Sequence, residues 1–140
     1  MKALTVKQPW AWAIIHGGKD IENRNQRTNY RGELYIHAGK GEDPEAYSFP
    51  ALSAVIPTDN LVLRRGEVLG TVALIGCHHS DVCGNSCSEW AEDGYWHSEF
   101  ADSRAVPCPY PATGKLGLWN LERQPNRTEP TAQRSLSEDA

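Results

Sequence analysis

The sequence predicts an α+β domain, a small mixed β-barrel of about five or six strands decorated by two or more short helices. Three observations point there. The chain has 140 residues, room for one hydrophobic core of ordinary size. Period-two alternation of apolar and polar side chains recurs in short runs punctuated by Gly and Pro, whereas helical spacing is brief. The longest apolar stretches, Ala11 to Ile15 and Val72 to Ile75, fall far short of the roughly 20 residues needed to span a bilayer. Internal repeats and coiled-coil heptads are not found.

The elements follow in order. Ala3 to Lys7 alternates Leu4 and Val6 with polar neighbours, a strand pattern. After Gln8-Pro9, Trp10 to His16 pairs Trp10 with Ile14 and Ala11 with Ile15 at helical spacing, and Gly17-Gly18 closes the helix. Asp20 to Arg24 reads as a second strand with Ile21 as its one strong apolar residue, and Asn25 to Asn29 as polar loop. Gly32 to His37 is a third strand, half of it facing the core. Asp43-Pro44-Glu45 begins a helical segment that Pro50 must break, running to about Ile56. Gly66 to Gly76 carries apolar residues on both faces and is expected to be central and covered on both sides. Cys77 to Glu92 reads as loop; Tyr95 to Val106 fits strand or helix. Pro107, Pro109 and Pro111 enforce an extended connection, and Leu116 to Leu121 is the closing strand. Residues 1–122 are thus expected to form the domain and 123–140 a disordered tail, since the tail lacks apolar periodicity.

The net charge of −4 argues against a coat for long nucleic acid, whose binding is mostly phosphate neutralisation. The charge is unevenly placed: residues 1–41 hold seven Lys/Arg and three Asp/Glu, residues 42–123 five and twelve. Without a secretory apolar block, a cytoplasmic location is expected and membrane attachment is not. The four cysteines, Cys77, Cys83, Cys87 and Cys108, then read as thiols or metal ligands rather than disulfides.

Chemistry concentrates in the first third. On a strand, Glu22 and Arg24 share a face, and Lys19 at the preceding turn can bring its amine to it. Two cations and a carboxylate can bind a phosphate or a base edge, or move a proton, with Lys19 as an exposed cleft lysine. The competing reading is a surface strand of solvated charge. Gln8 and Trp10 offer an amide and an indole, the edge and the face that a flipped base needs, although Trp10 can equally be core. Thr28, Tyr30 and Arg31 add a hydroxyl, a ring and a guanidinium suited to phosphate and base contacts. His37, at a strand end, reads as structural.

Cys77 to Cys87 packs Cys77, His78, His79, Cys83 and Cys87 into eleven residues. Their spacing lacks a C-x2-C pair, and adjacent histidines do not readily face one tetrahedral ion, so no tightly held metal is expected. The motifs of P-loop, dinucleotide-binding, α/β-hydrolase and zincin chemistry do not occur, and no cofactor is expected.

Several segments in one order resemble the ASCH family, a branch of the PUA-like fold: Gln8-Pro9-Trp10-Ala11, Gly18 to Arg24, Thr28 to Gly32, Ile36-His37-Ala38, Gly66 to Val72, Cys87 to Ala91 and Gly114 to Trp119. The resemblance covers about residues 1–121 and implies a small barrel with a cleft beside the first helix. Together with the chemistry above, it leads to the expectation that RNA, single-stranded nucleic acid or a modified nucleoside binds there, with Gln8, Trp10, Lys19, Glu22, Arg24, Thr28, Tyr30 and Arg31 as candidate contacts. Some family members are amidohydrolases on N4-acylated cytidine and others are assigned ribonuclease activity, so a hydrolase using Lys19 and Glu22 is the alternative. Lys19 matches the lysine of the amidohydrolase branch. That branch has a threonine three residues later, where this chain has Glu22, so a threonine nucleophile there is excluded; Glu22, Glu89, Glu92 or Asp93 remains as base. A protein-interaction module docking through the acidic second half is a further alternative.

Overall fold

The computed structural model describes residues 1–58 and 61–122; the tail expected over 123–140 lies outside them. Six strands form one mixed sheet: β1 (Lys2–Gln8), β2 (Ile21–Arg24), β3 (Gly32–Glu42), β4 (Glu67–His79), β5 (Trp96–Pro111) and β6 (Leu118–Asn120). Their order across the sheet is β2-β5-β4-β3-β1-β6. β1 and β3 run parallel, and the other neighbours are antiparallel. The helices are short: α1 (Trp10–His16), a 3-10 turn (Pro44–Ser48), α2 (Pro50–Ser53) and α3 (Ser80–Cys83). The fold is thus α+β, as expected. The sheet is barrel-like rather than closed, because no ladder joins β2 to β6 among the described residues. It curls enough that both edges line one cavity of about 580 Å³, with Asn23 and Arg24 from one side and Leu4 and Leu118 from the other.

The parallel pair β1/β3 requires a crossover, and α1 supplies it, packing across β1, β3, β4 and β5. Its buried face (Ala11, Ile14, Ile15) meets Leu4, Val6, Leu34, Ile36, Leu69, Val72, Leu74 and Phe100 in the main core. Burying each large aliphatic side chain stabilises the fold by about 1.5–3 kcal/mol. Gly70 lets this packing close, because a Cβ there would strike the Arg104 carbonyl oxygen and approach Ile15 Cδ1 to 2.9 Å. A second cluster joins Ala13 and Ile21 to Ala46, Leu52, Trp90 and Ala91, with Trp10, Trp12 and Phe49 packed against it. It holds the 3-10 turn, α2 and the loop before β5 over the other side of α1.

β1, α1 and β2 lie within about a residue of expectation, but several elements differ. β3 and β4 run longer, to Glu42 and His79. β4 is interior, yet its second face is not fully covered, since Ile75 is 59% exposed. Trp96 to Val106 proves to be strand, and β5 continues through Pro107 and Pro109 because they fall at a bulge, with Pro111 back in the ladder opposite Glu67. Pairing passes from Gly70↔Ala105 to Val68↔Tyr110, leaving Pro107 and Pro109 outside the ladder and asking no donor of them. The last strand begins only at Leu118, since Gly117 adopts a left-handed φ of 66°. Asp43 starts its segment as expected, its carboxylate accepting from Glu45 N, and Pro50 starts α2.

Candidate functional site beside the first helix

The site is built around the two ends of α1. At its start Gln8 is 1% exposed, with its carboxamide oxygen accepting from Trp12 N at 2.9 Å and its nitrogen donating to the Arg64 carbonyl at 2.8 Å. Gln8 therefore secures the helix start. At the other end Gly18 takes φ 78° and Lys19 N donates to the Ala13 carbonyl at 3.0 Å, which turns the lysine back along the helix. Its side chain is 2% exposed, so Lys19 is not the exposed lysine expected. Burial in apolar and aromatic surroundings disfavours the ammonium and pulls the Lys19 pKa below 10.5, against the attraction of Glu22, Glu92 and Asp20.

Nζ of Lys19 lies 4.7 Å from the Trp10 ring centroid and 5.5 Å from that of Trp90, a doubly aromatic seat for a cation. The Trp10 indole N–H donates to Asp43 Oδ2 at 2.9 Å, and its ring packs edge-on against Phe49 and Trp90. One Trp10 face thus positions the lysine and is unavailable to stack a base. On β2, Glu22 stands between two cations, with Lys19 Nζ 3.9 Å from Oε1 and Arg24 Nη1 3.3 Å from Oε2. The face shared by Glu22 and Arg24 is as the strand pattern requires. Asn23 secures the opposite wall, donating to the Trp90 carbonyl at 3.0 Å and accepting from Glu92 N at 2.9 Å.

These groups enclose a recess of about 140 Å³ lined by Trp10, Lys19, Glu22, Asn23, Asp43, Glu92 and Tyr95. Asn23 and Tyr95 also line the larger cavity, whose rim carries Arg24, Arg27 and Thr28. A small, mostly acidic recess with one buried cation therefore adjoins a longer groove with a basic rim. An anion in the recess would meet Glu22, Asp43 and Glu92. A neutral group offering a donor beside an acceptor would find carboxylate and ammonium partners.

A family model of the ASCH domain matches residues 4–113. The chain belongs to the ASCH domain family. The match runs from β1 through β5 and contains every residue of the recess. A search of the curated proteins gives no match.

Within this ASCH domain, Trp10, Lys19 and Glu22 come together in the recess and Arg24 and Thr28 on the groove. Tyr30 and Arg31 line neither. The Tyr30 hydroxyl donates to the Glu33 carbonyl at 2.7 Å, and Arg31 Nη1 donates to the Thr28 and Tyr30 carbonyls at 3.0 and 2.7 Å. His37, 2% exposed, is structural, with Nδ1 3.1 Å from Thr5 Oγ1 and Nε2 2.7 Å from the Ala112 carbonyl. Of the candidate bases in the acidic loop, Glu92 lines the recess, whereas Glu89 and Asp93 do not. Asn23, Asp43, Tyr95 and Arg27 were not singled out by the sequence. Asp43 stood out only as a helix cap and Tyr95 only as the start of an ambiguous segment. Among the described residues no helix is long and apolar enough to cross a membrane. Among the described residues, a group of potential metal ligands, His78, Cys83, Cys87 and His97, lies outside the recess, drawn from the end of β4, α3, the loop after it and the beginning of β5.

Proposed function

We propose that this ASCH domain protein binds single-stranded RNA or a modified nucleoside, with a base edge in the Lys19 recess and the sugar-phosphate along the groove. The carrying observation is a buried ammonium beside carboxylates, opening through Asn23 and Tyr95 onto a rim of Arg24, Arg27 and Thr28. A cytosine-like edge fits that chemistry: the exocyclic amine donates to a carboxylate of Glu22 or Glu92 while Lys19 donates to the ring carbonyl. Tyr95 offers the stacking ring that Trp10 does not. The recess is smaller than the several hundred Å³ of a typical small-molecule site, so it takes the base edge rather than the whole nucleoside. The four cysteines, all free, fit the reducing cytoplasm in which such ligands occur.

Titration with short single-stranded RNA, duplex DNA and free N4-acylated cytidine at two salt concentrations tests this reading. Single strands or the nucleoside should bind more tightly than duplex. Arg24 and Arg27 can meet about two phosphates, so the slope of log K against log salt on single strands should be about −1.4. Tighter duplex binding with a slope steeper than about −5 would contradict the reading.

The Lys19–Glu22 ion pair, with Glu92 lining the same recess, favours hydrolysis as a second reading. A carboxylate would accept a proton from water attacking the acyl carbon, the ammonium would stabilise the developing oxyanion, and the protonated carboxyl would return the proton to N4 as the acyl C–N bond breaks, releasing the free base amine and the acid. A nucleoside hydrolysis screen read by mass separates the two, because a base role for Glu92 predicts a roughly 100-fold or greater loss of turnover in Glu92→Gln.

A further inference from the structure

Outside the recess, strand register and the turn after α3 gather four potential ligands from positions 78 to 97. His78 on β4 and His97 on β5 are cross-strand partners, and their rings meet edge to face at 5.0 Å. Cys83 ends α3, and Gly84, with φ 61°, reverses the chain to bring back Cys87. His78 Nε2, His97 Nδ1 and the two Sγ atoms lie within 4.8 Å of one another. Four of the separations are 3.2 Å (His78 Nε2 to His97 Nδ1), 3.1 Å (His78 Nε2 to Cys83 Sγ), 3.6 Å (Cys83 Sγ to His97 Nδ1) and 3.5 Å (Cys87 Sγ to His97 Nδ1). A tetrahedral ion with Zn–S near 2.3 Å and Zn–N near 2.05 Å places its ligand atoms about 3.3–3.8 Å apart.

The outward-facing nitrogens sharpen the argument. His97 Nε2 lies 2.7 Å from the Glu92 carbonyl, which can only accept, so this nitrogen carries the proton and Nδ1 turns a lone pair inward. His78 Nδ1 lies 2.7 Å from Glu99 Oε2, again an acceptor, so in the neutral ring Nε2 is also a lone pair. Two lone pairs 3.2 Å apart repel unless a cation stands between them or one of the two rings takes a second proton. An imidazole held by a carbonyl and another by a carboxylate are the outer contacts of metal-bound histidines. His79, one residue along the strand, points elsewhere, its Nδ1 accepting from Asp81 N at 3.0 Å.

We propose that His78, Cys83, Cys87 and His97 form a structural Cys2His2 zinc site. This departs from the expectation of no tightly held metal, which weighed Cys77 to Cys87 and Cys108 without His97. Four protein ligands close the coordination shell, so the ion is structural rather than catalytic. The two thiols lose their protons to solvent as zinc enters. The ion ties α3 and the loop through Cys87 to the β4/β5 ladder, and through His97 it steadies Glu92, a wall of the recess. The competing state is metal-free, with a proton rather than an ion between the facing nitrogens.

The test uses the full chain, purified without chelator and assayed for zinc by elemental analysis, then stripped, melted and refilled with zinc alone. About one zinc per chain is expected, either as purified or on refilling, with Tm rising by about 10 °C or more over the stripped protein. Less than about 0.1 zinc per chain together with no Tm change on refilling overturns the proposal. Cobalt substitution identifies the ligands without depending on zinc retention: a thiolate-to-cobalt charge-transfer band should weaken in Cys87→Ser and persist in Cys77→Ser and Cys108→Ser. Since Cys87 is exposed, its variant should still fold. A band of unchanged intensity in Cys87→Ser overturns the assignment, as does its loss in Cys108→Ser.

Discussion

The Lys19 recess and the Cys/His cluster flank the same loop before β5, and they solve opposite problems. In the recess the charged groups stand apart, with 3.9 Å between Lys19 Nζ and Glu22 Oε1, and the space between them opens onto a groove. In the cluster four atoms converge on one point, and the outward nitrogens of both imidazoles are already committed to Glu92 and Glu99. An open arrangement of separated charges suits the proposed ligand; a closed one of convergent ligand atoms suits the proposed ion. Glu92 touches both, giving its carbonyl to His97 and its side chain to the recess.

The largest expected effect lies in the recess. Lys19→Met keeps the bulk against Trp10 and Trp90 but removes the charge-assisted donor, so affinity for single-stranded RNA or nucleoside should fall roughly 10- to 100-fold. Stability should stay within about 1 kcal/mol, because the desolvation cost of the ammonium disappears with its ion pair. Lys19→Ala should instead cost about 2–4 kcal/mol by leaving a cavity between the indoles. Comparing Tm and binding for both variants separates the two roles, and an Ala variant as stable as the Met variant would refute the packing role.

Asn23→Ala comes next. It strips the Trp90 carbonyl and Glu92 N–H of their partner and should cost about 2 kcal/mol in denaturant unfolding. Unchanged stability would mean that the loop is held by the cluster alone.

The pH effect is smaller. The folded-state pKa of Lys19 is depressed below 10.5, so the unfolded chain binds the proton more tightly between the two values. Stability therefore rises as pH climbs through the lowered pKa and levels off above 10.5. From pH 7 to 10, wild type should gain stability relative to Lys19→Met; a relative loss would contradict burial of the ammonium. Smallest is Arg24→Ala, which should make the salt slope on single-stranded RNA shallower by about 0.7, one phosphate contact. An unchanged slope would remove Arg24 from the groove's phosphate path.

How far the two regions could be read from sequence follows from their construction. The recess draws Trp10, Lys19 and Glu22 from one helix-turn-strand, where local periodicity sets which side chains meet. Alternation alone puts Glu22 and Arg24 on one face. What escaped is Asn23, which alternation puts on the face of β2 opposite to Glu22, and what arrives from afar: Asp43 and Tyr95 enter through tertiary packing, as does Glu92, which the sequence offers only as one of several candidate acids. Burial of Lys19 escaped for the same reason, since Trp90 comes from a distant loop. The cluster depends on a strand ladder. His78 meets His97 only because β5 is a strand in one register, and residues 95–106 are ambiguous by period. The β5 prolines misled differently, since proline forbids a ladder donor and nothing local announces the bulge that excuses it.

The most direct test of the recess is a crystal structure of the protein soaked with N4-acetylcytidine or a short single-stranded RNA. Base density is expected beside Lys19, with a ring carbonyl about 2.7–3.2 Å from Nζ and the sugar leading past Asn23 toward Arg24. A base seated instead in the separate cavity of about 910 Å³ lined by Lys40, Arg65 and Lys115, with the Lys19 recess empty, would contradict it.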